Sequence, residues 1–136
     1  MLQPKVTAVL FEGGQAKTEL DRIITGIRKE VVLDTLEKIL LCRSISEVVL
    51  ATNYPDLADR ARRMGVSVDL EGPDAPKFHF GRRLREIIVK RGIENVLYMG
   101  GVAAPLLTSE DFGQIAMALK RERNVVIMNN VQSADL

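Results

Sequence analysis

Val9-Leu10-Phe11-Glu12-Gly13-Gly14, near the start of the chain, and Val96-Leu97-Tyr98-Met99-Gly100-Gly101, toward its end, share one pattern: an apolar run that stops at paired glycines. The first run, Val6 to Phe11, reads as a buried strand because it is short, continuous and rich in β-forming residues. In an open parallel sheet, ligands bind outside the carboxyl ends of the strands, and glycine there lets backbone amides approach a bound group closely. Two such ends lying side by side predict a pocket for a nucleotide or a sugar phosphate.

The segments between these two strands fix the fold class. From Glu30 to Cys42, Val32, Leu36, Ile39 and Leu40 recur at helical spacing, with Glu37 and Lys38 on the other face. The preceding stretch, Gln15 to Lys29, is compatible with a short extended piece around Ile23-Ile24 or with an irregular functional loop, given its polar residues and Gly26. Glu47 to Thr52 is a second strand. Asn53-Tyr54-Pro55-Asp56 then opens a helix that Gly65 closes. Within that helix, Asp56 and Arg60, and Asp59 and Arg63, sit four apart in the favourable order, so its arginines read as a solvated face.

Val66 to Leu70 forms a third strand, followed by a Pro- and Gly-containing loop and a helix from about Arg82 to Arg91. Asn95 to Met99 is the fourth strand. Thr108-Ser109-Glu110-Asp111 caps a helix running through Arg121, and Asn124 to Met128 is a fifth strand. Strands alternate with amphipathic helices, and the crossovers are long enough for parallel pairing. The expected architecture is α/β: a three-layer α/β/α sandwich around a mostly parallel sheet.

The chain of 136 residues fits one domain spanning 1–136. It ends soon after a strand with no closing helix, which reads as a piece of a longer protein. Nineteen basic residues balance 18 acidic ones, so no nucleic-acid partner is expected. Cys42 stands alone in an apolar run, which excludes an intramolecular disulfide framework and fits a small buried side chain. The chain shows no charged-then-apolar leader and no apolar stretch of membrane-spanning length. No membrane partner and a cytoplasmic location are therefore expected.

Two common phosphate motifs fail. Gly13-Gly14-Gln15-Ala16-Lys17-Thr18 has a Lys-Thr pair after a strand, but Ala16 stands where a phosphate loop needs glycine. No Gly-x-Gly-x-x-Gly follows any strand.

The order of the parts nevertheless resembles the nucleotide-binding half of the GT-A-fold nucleotidyltransferases, in particular their MobA-like group, across nearly the whole chain. Val9 to Gly14 is similar to the family's opening strand and Leu-Ala-Gly-Gly turn, and Val48 to Asn53 to its second strand. Gly81 and the helix after it resemble the segment facing the nucleotide. Val96 through Gly101 to Pro105-Leu106-Leu107-Thr108-Ser109-Glu110-Asp111 is similar to the family's strand, Gly-Asp-x-Pro-Leu-Leu-Thr loop and helix. The resemblance implies a nucleoside triphosphate held by Phe11, Glu12, Gly13, Gly14, Gly81, Gly100 and Gly101. It also implies a basic residue on the phosphates, here Lys17 or Arg22, and a magnesium ion. The family's magnesium Asp corresponds to Ala103, so no metal ligand is assigned.

The implied reaction is transfer of a nucleotidyl group from a triphosphate to a phosphorylated small-molecule acceptor. The acceptor attacks the α-phosphorus in line and pyrophosphate leaves. The alternative is a catalytically degenerate domain that binds a nucleotide in a regulatory or assembly role. His79, in the loop before the third helix, is a candidate contact to a base or a structural histidine.

Overall fold

The computed structural model describes residues 4–122 and 126–127. Four strands and four helices alternate: β1 (Val6–Glu12), α1 (Glu19–Leu40), β2 (Glu47–Thr52), α2 (Pro55–Met64), β3 (Ser67–Leu70), α3 (Phe80–Arg91), β4 (Asn95–Gly100) and α4 (Ser109–Arg121). The strands lie in the order β3-β2-β1-β4 and every pairing is parallel. β1 is central. Its last residues register with Thr52 and Gly100, so the carboxyl ends of β1, β2 and β4 converge.

Alternation along β1 sorts the two faces. Val6, Ala8 and Leu10 join Leu36 and Ile39 of α1, Leu57 of α2 and Phe112 of α4 in the larger core. Val9, with Val49 and Ala51, meets Ile87 of α3 on the other side. Helices thus cover both faces, which gives the expected three-layer sandwich. Cys42 is buried against α4.

Most elements match the expected segments; α1 does not. It starts eleven residues before Glu30, the expected first residue, and absorbs the stretch that read as an extended piece or a loop. A capping box starts it: Thr18 Oγ1 accepts from the Asp21 amide at 3.0 Å, and Asp21 accepts from the Thr18 amide at 3.1 Å. The helix was hard to see because its two halves are apolar on different sides. Val32, Leu33, Leu36 and Ile39 face the core, whereas Leu20, Ile23, Ile24 and Ile27 face solvent with exposures of 46–64%. At about 100° per residue, the two stripes are centred roughly 155° apart, so no single periodicity spans the helix. Gly26 sits in open space, where it costs about 1 kcal/mol of propensity without breaking the helix.

The arginines of α2 are solvated, but their pairing differs from the expected one. Asp56 binds Lys29 at 2.9 Å and Arg60 binds Glu30 at 2.6 Å, tying α2 to α1, while Arg62 pairs with Asp59. Lys29 and Glu30 of α1 take Asp56 and Arg60 because that helix packs against α2. The strand expected at Asn124 to Met128 falls largely outside the described residues.

Two predictions follow from these termini and pairs. Thr18→Ala should lower stability by about 1 kcal/mol in urea unfolding, with a loss in helical signal, if Thr18 is the cap; an unchanged midpoint would place the helix start elsewhere. Backbone bonds from Thr18 and Thr108 hold the carboxyls of Asp21 and Asp111 below their ordinary pKa, and side-chain bonds from Lys29 and Arg60 do the same for Asp56 and Glu30. A depressed carboxyl contributes stability above its unfolded pKa and loses it as pH falls through its folded one. Melting temperature should therefore fall as pH drops below the ordinary values of 3.8 for Asp and 4.5 for Glu. A flat or rising profile there would contradict these pairings.

Candidate functional site

A cleft of about 540 Å³ opens where the ends of β1 and β2 meet the loop before α3. Its floor is the turn Gly13-Gly14 that follows β1. Asn53, just past β2, fixes this turn from across the sheet end: its Oδ1 accepts from the Gly14 amide at 3.0 Å and its Nδ2 donates to the Gly14 carbonyl at 2.9 Å. The approach is close enough that a Cβ on Gly13 would stand 2.7 Å from Asn53 Oδ1, and Gly14 has φ +146°. Both positions therefore require glycine.

One wall is aromatic. Phe11 of β1 packs edge-on against Phe78, Phe80 and Tyr98, with ring centroids 6.1, 5.7 and 5.3 Å away. Phe80 and Tyr98 also contact each other at 4.8 Å. All four rings line the cleft, and Phe78 remains 56% exposed. An exposed ring in a concave apolar wall offers a stacking surface for a planar ligand. Burial pushes the Tyr98 phenol pKa up, so that group stays neutral.

The charged lining is internally paired. Glu12, the last residue of β1, has a side chain 2% exposed and accepts Arg28 Nε at 2.8 Å and Nη2 at 3.0 Å. Its hydrogen bond to Glu12 raises the Arg28 pKa further. Arg83 of α3 binds the buried Asp69 of β3 and stands 3.8 Å from Glu71. Among the described residues that line the cleft, Arg28 and Arg83 are the two cations, and each faces a carboxylate.

Phe11, Glu12, Gly13 and Gly14 all line the cleft. Gly101 lies behind Glu12: its amide donates to the Phe11 carbonyl at 2.8 Å, and a Cβ on it would meet Val32 at 2.5 Å and Glu12 at 3.2 Å. Gly100 pairs with Phe11 in the sheet. Gly81 sits in the first turn of α3, beside the His79 ring. Lys17 and Arg22 are exposed at the start of α1, outside the residues that form the cleft wall. His79 caps α3, its Nδ1 accepting from the Arg82 amide at 3.2 Å. The donor set does not fit a protein-held magnesium ion. Both Glu12 oxygens are bound to Arg28, Glu71 stands 3.8 Å from Arg83, and Ala103 offers no carboxylate, so each carboxylate lining the cleft faces a cation.

Sequence reading did not single out Phe78, Phe80, Tyr98, Asn53 or Arg28 as site residues. A compositional signal existed for the aromatics. The chain has four Phe and two Tyr, and three of those Phe with one Tyr converge here. Arg28 carried no signal, because its segment was not recognised as helix.

No family model matches the chain, and no curated protein matches it in sequence. Solved structures do match in fold. A CMP:2-keto-3-deoxy-manno-octonic acid synthetase complexed with CTP aligns over 89% of this chain and 49% of its own, with TM-score 0.67 and 15% identity. A cytidylyltransferase from Leptospira borgpetersenii aligns over 90% and 51%, with TM-score 0.64 and 16% identity. A nucleotidyl transferase from Methanothermobacter aligns over 83% and 57%, with TM-score 0.58 and 17% identity. The chain thus spans about half the length of the first two structures. At these identities the likeness concerns architecture: the chain has the Rossmann-like α/β fold of the matched part of these structures.

Proposed function

We propose that this chain is the nucleotide-binding part of a nucleotidyltransferase. The observation that carries the proposal is the cleft itself: a glycine turn and an aromatic wall meet at the carboxyl ends of adjacent parallel strands. A base stacks against Phe78 and Phe80, and the phosphates extend toward Gly13 and Gly14. Lys17 and Arg22, exposed beyond the turn, bear charge on the departing pyrophosphate. The acceptor in this reading is a phosphorylated small molecule. The finer kinship is MobA-like, supported by the order of Gly100-Gly101 and Pro105 to Asp111, and the cytoplasm is the proposed location.

A second reading is a domain that binds a nucleotide without turning it over. The paired Glu12 and the Ala103 side chain favour it, since neither supplies a free carboxylate for a metal.

Calorimetric titration with the four nucleoside triphosphates, with and without magnesium, separates these readings. CTP comes first, since one structural neighbour is complexed with it. Magnesium-dependent binding of one base supports transfer, magnesium-independent binding supports the second reading, and no binding overturns both. Phe78→Ala with Phe80→Ala should weaken the bound base by about 1–3 kcal/mol per lost stacking contact. Unchanged affinity would place the base elsewhere.

A further inference from the structure

Glu12 lies in the wall of the cleft, next to the glycine turn toward which the proposed phosphates extend. It is buried, and a buried carboxylate persists only with a partner. That partner is Arg28, whose side chain is 45% exposed and which spends two of its five N–H donors on Glu12. The pair carries no net charge, yet the remaining donors of Arg28 belong to a group that lines the cleft. Arg28 is therefore the cation best placed to meet a phosphate, and Glu12 already holds it.

We propose that Glu12 is a built-in competitor for Arg28 that weakens the hold of the cleft on phosphate: a polyphosphate is accepted by sharing Arg28 with Glu12 or by taking it away. The inference rests on the cleft reading given above. It differs from a metal-binding role for Glu12 in sign. A carboxylate that binds magnesium helps a triphosphate bind, whereas one that competes for Arg28 hinders it.

The test is calorimetric titration of magnesium-free inorganic tripolyphosphate, and separately of CTP, into the chain and into Glu12→Gln, which keeps the shape and removes the charge. Tripolyphosphate should bind Glu12→Gln about tenfold tighter or more, as expected from removing one negative charge within a few ångströms of the bound anion. Glu12→Ala should move in the same direction. Equal, weaker or absent binding to the folded variants overturns the proposal. Should neither variant fold, the chain itself decides: the Arg28 Nε–H resonance should shift on addition of tripolyphosphate, and an unmoved resonance overturns it. Tighter tripolyphosphate binding by Glu12→Gln with no nucleotide bound by either protein would sustain this inference and remove the nucleotide reading. Nucleotide binding by the chain with no gain in the variants would do the reverse.

Discussion

Everything at the site depends on β1 being an inner strand, held between β2 and β4. Its neighbours β2 and β4 run parallel to it, so each connection must cross a face of the sheet and return to the same end. That requirement brings three carboxyl ends together and leaves the loops after them to form one concave surface. Val6, Ala8, Val9 and Leu10 have no exposed surface, so hydrophobic burial holds β1 in register from both faces. A one-residue slip would turn those side chains to opposite faces and move Glu12 off the cleft.

Register also brings Gly101 against Glu12. The first residue past β4 donates its amide to Phe11, and its Cα lies so near Val32 that no side chain fits. The glycine is therefore a packing requirement at the junction of β1, β4 and α1. That differs from the phosphate-cradling role the paired glycines suggest when read alone. Gly13 is similar: its space is taken by Asn53, and the Gly14 amide already has a partner. Of two glycine pairs that look alike in sequence, one floors the cleft and the other packs behind Glu12, one half of the ion pair in the cleft wall.

The layered fold was legible because its signals are local. Short apolar strands ended by Gly13, and Pro55, Gly65, Gly92 and Thr108 at helix ends, mark elements without reference to tertiary structure. The site was legible in place and less so in composition. Phe11, Glu12, Gly13 and Gly14 follow from the end of β1, but Phe78, Phe80 and Tyr98 reach the cleft from two other segments, and nothing in their spacing joins them. Arg28 was hidden for a different reason. Its partner lies sixteen residues away, across a capped helix whose first half lacks the phase of its second.

That phase change has a physical cause in the site. The first half of α1 passes over the polar carboxyl ends of the strands, where a side chain directed inward meets Glu12 or the start of α2 rather than a core. Arg28 and Lys29 serve there, bound to Glu12 and Asp56. An apolar residue at 28 would leave the buried Glu12 carboxylate unpaired, a loss of about 3–5 kcal/mol, more than one aliphatic side chain gains by burial. Leu20, Ile23, Ile24 and Ile27 accordingly lie on the outer side, and the helix turns its apolar face inward only after Val31, where it reaches the sheet proper. The cost of an unpaired carboxylate at the end of β1 thus fixes a cation at position 28 and keeps the inward side of that turn of α1 polar.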